Sequence, residues 1–148
     1  MKVCLVASGG GHLKEISFIE GFYKKYNHFF VTFKRPNSIS LAKKEKVHFI
    51  VDPERSPIKL IKNIIQSFKI IRREKPEVII STGAGVAVPI CYLGKLLGSK
   101  IIFIESFCRT QDPSVSGKLV YPISDLFIYQ WKKLKEFYPN GVYGGLLI

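Results

Sequence analysis

Acidic residues, disulfide-forming cysteines and long apolar runs are what this sequence has little of. The cysteines, Cys4, Cys91 and Cys108, are odd in number and fall in no CxxC or Cys/His ligand spacing. That argues against a disulfide framework and a zinc centre, and fits idle thiols in a reducing compartment. No metal site and no cofactor is expected. The apolar stretch after Met1 is too short for a signal-peptide core and lacks a cleavage site. Val78 to Gly98, the longest weakly polar stretch, is interrupted by Ser81, glycines, Pro89 and Lys95, so it reads as strand, turn and helix, not a membrane span. The expected location is the cytoplasm.

Nucleotide fingerprints are missing too. A GxGxxG pattern would need glycine where Lys14 stands, and the acid expected after the second strand is replaced by Lys34 and Arg35. A dinucleotide site using Arg35 survives as a minor alternative. The P-loop ending GKS or GKT does not occur. Eleven acidic residues against 23 basic ones leave a formal net charge of +12, which implies an anionic partner: nucleic acid, a membrane surface or a phosphorylated substrate. Nucleic acid is disfavoured because Phe and Tyr fall at core positions instead of forming a stacking platform beside lysines.

What is present fits one domain over residues 1–148. Short apolar runs alternate with helical patterns, the signature of βαβ units around a doubly wound parallel sheet of the α/β class. Strands are predicted at 2–7, 28–33, 47–52, 77–82, 100–106 and 125–130. A first crossover helix is predicted over "HLKEISFIEGFYKKY" and at most a short one between Lys34 and Lys46. Ser56 and Pro57 open a long helix that Pro76 ends. Further helices are predicted over "VAVPICYLGKLLG", "DPSVSGKLVYPIS" and "WKKLKEFYP".

Candidate chemistry gathers at the carboxyl ends of these strands, where parallel sheets bind ligands. After the first strand comes Ser8–Gly9–Gly10–Gly11–His12. The glycines let backbone approach an anion, or serve only a tight turn. His12 can be a general base or a phosphate donor, and the residues alone leave both open. A second glycine turn follows the fourth strand, with Ser81 and then Thr82, Gly83, Ala84 and Gly85. After the fifth strand stand Glu105, Ser106 and Arg109; Glu105 could orient a hydroxyl, take its proton, or simply pair with Arg109. The helix after Pro57 carries Ile58, Leu60, Ile61, Ile64, Ile65, Phe68, Ile70 and Ile71, more than one sheet-packing stripe requires. Lys59, Lys62, Lys69, Arg72 and Arg73 flank them. Such a helix suits an anionic membrane surface, the alternative being a wholly buried crossover helix.

The blocks "SGGGHLKE", "STGAGVAVP", "IESFCRTQDPSVSGKLVYPISDLFIYQW" and "YPNGVYGGLLI" occur in the order expected of one family. The chain resembles, nearly end to end, the asparagine-linked-glycosylation protein fourteen family and its bacterial PssD-type exopolysaccharide counterparts. Most specific in combination are Glu105–Ser106 with Arg109, Ser116–Gly117–Lys118, and Asp125 through Gln130–Trp131.

The resemblance implies the acceptor-side, N-terminal half of a GT-B glycosyltransferase, similar to the enzyme that adds N-acetylglucosamine in lipid II synthesis. A separate donor-binding subunit would hold the UDP-sugar, and the acceptor would be a sugar on a polyprenol pyrophosphate. The transferred sugar would be N-acetylglucosaminyl or glucuronosyl. The chain alone is expected to be inactive, bound peripherally at the cytoplasmic face of the membrane. His12 is then the first candidate base and Glu105 the second. Ser8 to Gly11, Thr82 to Gly85, Ser106 and Arg109 would face acceptor or phosphate, and Gln130 and Trp131 the partner or the crevice. A scaffold contributing no chemical group is the alternative. Eukaryotic members of the family carry an N-terminal anchor, whereas here Met1 and Lys2 lead straight into the first predicted strand, so any membrane attachment is expected to be peripheral; Leu13 stands where a hydroxyl residue often follows the histidine.

Overall fold

The structure, a computed structural model, describes residues 1–147. Strands β1 (Lys2–Ala7), β2 (Asn27–Thr32), β3 (Val47–Phe49), β4 (Val78–Gly83), β5 (Lys100–Ile104), β6 (Leu126–Tyr129) and β7 (Val142–Tyr143) form one sheet in the order β3-β2-β1-β4-β5-β6-β7. Every pairing is parallel. The doubly wound α/β class is as expected, with seven strands where six were predicted. The additional β7 pairs only Val142 with Ile128 and Tyr143 with Tyr129, too short a run to leave a period in the sequence.

Successive strands are added toward one edge from β1 to β3 and toward the other from β4 to β7, so the strand order reverses between the neighbours β1 and β4, and this switch point positions the site. Helices α1 (Gly11–Ser17), α2 (Glu20–Tyr23), α3 (Pro36–Leu41), α4 (Pro57–Glu74), α5 (Ala87–Leu96) and α6 (Val115–Val120) cover the sheet. Leu13 and Ile16 of α1 pack with Val3, Leu5, Phe30 and Ile80 on one face. Ile70, Ile71, Ile90 and Val120 pack with Cys4, Val6, Ile79 and Phe103 on the other.

Local boundaries depart from the predicted ones for identifiable reasons. The first crossover is two helices because the Ser17 hydroxyl bonds back to the Lys14 carbonyl, while the Phe18 and Ile19 amides reach only i−3 carbonyls. Strand β3 stops at Phe49 because α4 takes the next backbone groups: Gln66 Oε1 accepts from the Val51 amide at 2.7 Å and Asn63 donates to its carbonyl at 2.8 Å. The predicted last helix is a 3-10 turn, Lys132–Glu136. Ser56 caps α4 and Pro57 starts it, as read from sequence.

At the C-terminal end of α4, Glu74 is buried and accepts from Lys2 and from His48, with Lys46 ion-paired to it. Burial opposes ionisation there, but these donors win and hold the carboxyl down at about 2.

Candidate functional site

At the carboxyl edge a cleft of about 620 Å³ opens beside the switch point. Its walls come from α1 (Gly11, His12, Glu15), the β4–α5 turn (Ala84, Gly85), the segment after β5 (Ser106 to Arg109) and α6 (Val115, Ser116). A depression of similar volume, about 660 Å³, lies at the opposite edge, and its charged side chains, Arg72, Lys75, Glu77 and Lys100, are all exposed. Ligands of parallel sheets bind at the carboxyl edge, so the first cleft is the candidate site.

His12 is clamped to the neighbouring turn. Its Nδ1 lies 2.8 Å from the Thr82 carbonyl, and the Thr82 hydroxyl donates to the His12 carbonyl at 2.6 Å. A carbonyl oxygen only accepts, so Nδ1 carries the hydrogen and the neutral ring keeps its lone pair on Nε2. Nε2 has no protein partner among the described residues, and the ring lines the cleft. The turn that supplies Thr82 is strained: Gly83 has φ +117° and Ala84 φ +77°, a left-handed conformation rare for a residue with a Cβ. Ser116 holds that turn by accepting from the Ala84 amide at 3.2 Å.

The glycine loop is partly spoken for. Gly10 has φ +100°, which glycine adopts readily, and Asn37 holds it on both sides, accepting from its amide and donating to its carbonyl at 3.1 Å each. Gly9 leaves no room for a Cβ against Arg35, and Ser8 is buried. The cradle expected from three glycines therefore narrows to Gly11, which lines the cleft and has open space beside it.

Glu105 is not placed to act as a base. Its buried carboxylate accepts from the Ser106 amide at 3.1 Å, the Ser114 amide at 3.0 Å, the Ser114 hydroxyl at 2.7 Å and the Tyr138 hydroxyl at 2.7 Å. It does not line the cleft, and its oxygens bond to these serine and tyrosine donors where a pairing with Arg109 was one expectation. The carboxylate ties the β5 exit to the start of α6, where Ser114 also caps the helix through the Gly117 amide. Gln130 is likewise turned inward: it donates to the Glu105 carbonyl and accepts from the Leu147 amide. It is a buried tie and not a contact surface, because both ends of its amide are used within the chain. Trp131 pins the loop by donating to the Phe107 carbonyl at 2.6 Å. Arg109 is exposed in the cleft wall, and Ser106 is buried beside it.

Glu15 is a further acid in the cleft wall, one that no motif in the sequence marks. It is 1% exposed, sits one helical turn after His12, and Oε2 comes within 3.8 Å of His12 Nδ1. Oε1 accepts from the Phe107 amide at 2.8 Å and the Ser106 hydroxyl at 3.1 Å, whereas Oε2 has no donor. Burial is the main cause that raises this carboxyl above the usual range, and the two donors and His12 partly offset it. The i, i+3 spacing was the available signal.

The membrane candidates lie elsewhere, along α4. Lys59, Lys62, Lys69, Arg72 and Arg73 are exposed, as are Ile58, Leu60, Ile61, Ile64, Ile65 and Phe68. Only Ile70 and Ile71 of the eight apolar residues face the core, so the helix is not a wholly buried crossover. No helix among the described residues is long and apolar enough to cross a membrane.

The family profile described as "Oligosaccharide biosynthesis protein Alg14 like" matches residues 52–147, well over half of the sequence. The chain belongs to that family. Human UDP-N-acetylglucosamine transferase subunit ALG14 is 43% identical over 88 residues, which is 55% of this chain and 41% of that protein. The Candida albicans subunit of the same name is 46% identical over 82 residues, 51% of this chain and 37% of that protein. These Alg14 matches thus span about two fifths of their relatives' length. Among solved structures, Acinetobacter baumannii MurG superposes on 89% of this chain and 42% of its own with a TM-score of 0.71 at 14% identity. A Rickettsia bellii UDP-N-acetylglucosamine 2-epimerase covers 95% of this chain and 41% of its own, with a TM-score of 0.75 at 16% identity. At such identities the likeness is one of fold: this Alg14-like chain has the Rossmann-like sheet of GT-B proteins. The profile takes in the Thr82–Gly85 turn and the Glu105, Arg109 and Trp131 blocks. It leaves the Gly9–His12 loop outside, so the resemblance is narrower than the near end-to-end one expected.

Proposed function

We propose that this Alg14-like chain is the acceptor-side subunit of a two-part UDP-sugar transferase, acting with a separate donor-binding subunit on a sugar carried by a polyprenol diphosphate. The observation that carries the reading is the switch-point cleft, in which His12 keeps an unprotonated Nε2 without a protein partner. The relatives are named as UDP-N-acetylglucosamine transferase subunits, which favours that donor. The acceptor hydroxyl oxygen attacks the anomeric carbon of the donor as the bond from that carbon to the diphosphate breaks. UDP leaves with the electron pair, the hydroxyl proton passes to His12 Nε2, and the anomeric configuration inverts. Arg109 and the Ser116 hydroxyl in the cleft wall are the groups suited to the acceptor's diphosphate, since Ser116 uses only its oxygen toward the Ala84 amide.

Helix α4 brings this cleft to the cytoplasmic face of an anionic membrane. Ile58, Ile61, Ile65 and Phe68 follow i, i+3, i+7 and i+10 and form an exposed apolar stripe, with the basic residues beside it. Each basic residue adds about 1 kcal/mol near such a surface. A crossover helix runs back from the carboxyl edge, so the start of α4 and the cleft lie at the same end of the sheet.

The test is reconstitution with the donor-binding subunit, UDP-N-acetylglucosamine and a short-chain prenyl-diphosphate-linked sugar. The chain alone should give no transfer and the complex should turn over. His12→Ala should cut turnover about 100-fold while the complex still assembles. Robust turnover by the isolated chain would refute the half-enzyme reading. A pure scaffold would show no saturable binding of the diphosphate acceptor, whereas the acceptor-side subunit should bind it.

A further inference from the structure

Glu15 presents a problem that the fold alone does not solve. A buried carboxylate oxygen without a donor is costly, and Oε2 is such an atom. Its sister Oε1 is well served by the Phe107 amide and the Ser106 hydroxyl, so the side chain is held firmly in one orientation. In that orientation Oε2 faces the Nδ1–H edge of His12 at 3.8 Å, while the Thr82 carbonyl fixes the ring from the other strand. The other charged groups nearby are few. Glu105, behind Ser106, is engaged by its own donors; Arg109 lines the same cleft, and Lys14 is exposed on α1. The β4–α5 turn brings only Thr82, Gly83 and Ala84, and α6 brings Ser116.

We infer that Glu15 is the positioning residue of His12: with the Thr82 carbonyl it fixes the Nδ1–H tautomer, and its free oxygen stabilises the imidazolium formed when Nε2 takes a proton. The inference rests on the reading of His12 as the base. In the resting state the uncompensated oxygen is disfavoured. Protonation at Nε2 gives it a countercharge at 3.8 Å, so the pair favours the protonated ring that the reaction creates. Nothing is consumed: the proton comes from the acceptor hydroxyl and leaves to solvent after release of product.

Two measurements test this separately. In the isolated full chain, the Glu15 carboxyl is followed by carbon NMR in the parent and in His12→Gln. Loss of the charged ring should move its titration up by about one pH unit; no movement overturns the pairing. Nitrogen NMR of the neutral His12 ring should give the Nδ1–H form, and an Nε2–H form also overturns it. In the complex with the donor-binding subunit, Glu15→Gln keeps the oxygen that Phe107 and Ser106 use. It should lower kcat about tenfold with KM unchanged, and shift the acid limb of the pH–rate profile to lower pH. A merely structural role would lower kcat without shifting that limb, and that result overturns the inference. If Glu15 and His12 couple by NMR but His12→Ala retains full turnover, His12 is not the base while the pair stands.

Discussion

Two buried acids, Glu105 and Glu15, stand on either side of Ser106 and are treated in opposite ways. Glu105 receives a donor at every turn, and a Cβ on Gly117 would run into its carboxylate and the Tyr138 and Ser114 hydroxyls. Glu105→Ala would orphan those donors, so urea unfolding should show a loss of about 3 kcal/mol. Glu15 is under-served, and its carboxyl is raised chiefly by burial. A raised carboxyl stabilises the fold below the ordinary carboxylate range, and that contribution is lost as pH rises through the folded value. At pH 7 the ionised Glu15 therefore lowers stability. Thermal melts should show Glu15→Gln at or above the parent Tm at pH 7, the gain vanishing below about pH 4. Stability retained where turnover falls is the pattern of a residue kept for function.

Helix α4 shows what hydrophobic periodicity resolves and what it leaves open. Its length, its Ser56 cap and its Pro57 start were legible because each has a local cause. Which face meets the sheet was not, because the buried side carries Asn63, Ser67 and Glu74, residues that a sequence reading assigns to solvent. They are buried because each finds a partner: Asn63 the Val51 carbonyl, Ser67 the Asn63 amide oxygen, Glu74 its cations. The apolar side is thereby turned outward. Ile61→Asp with Ile65→Asp should leave stability within about 0.5 kcal/mol of the parent, since both side chains are exposed. Co-flotation with vesicles containing anionic lipid should fall at least tenfold for the same variant. A large loss of stability would place this face against protein and not against lipid. The short elements were legible only in part, since β7 and the split of α1 from α2 depend on single hydrogen bonds and pairings without a period.

At the scale of the molecule, the sheet order brings together pieces that are far apart in the chain. His12 meets Thr82 because β1 and β4 are neighbours, and alternating apolar runs made that placement at the carboxyl edge readable. The partners of Glu105 were not readable, because Tyr138 reaches it across 33 residues of sequence through α6 and a 3-10 turn. Nor was Glu15, since a lone acid within a short helix is ordinarily exposed to solvent. The net charge of +12 is the remaining whole-molecule property, and α4 concentrates part of it beside its apolar stripe. Attraction between exposed lysines and anionic lipid is screened within about 8 Å at physiological ionic strength, whereas apolar insertion is not. Raising NaCl from 0.05 to 0.5 M, a range set by that screening length, should therefore weaken vesicle binding of the parent about tenfold or more without abolishing it. Lys59→Gln with Lys62→Gln and Lys69→Gln should flatten the salt dependence and keep the residual binding, while the Ile61 and Ile65 variant should lose the residual and keep the slope. Equal loss in both variants at every salt concentration would show that charge and apolar surface on α4 do not act as separate contributions to one membrane contact.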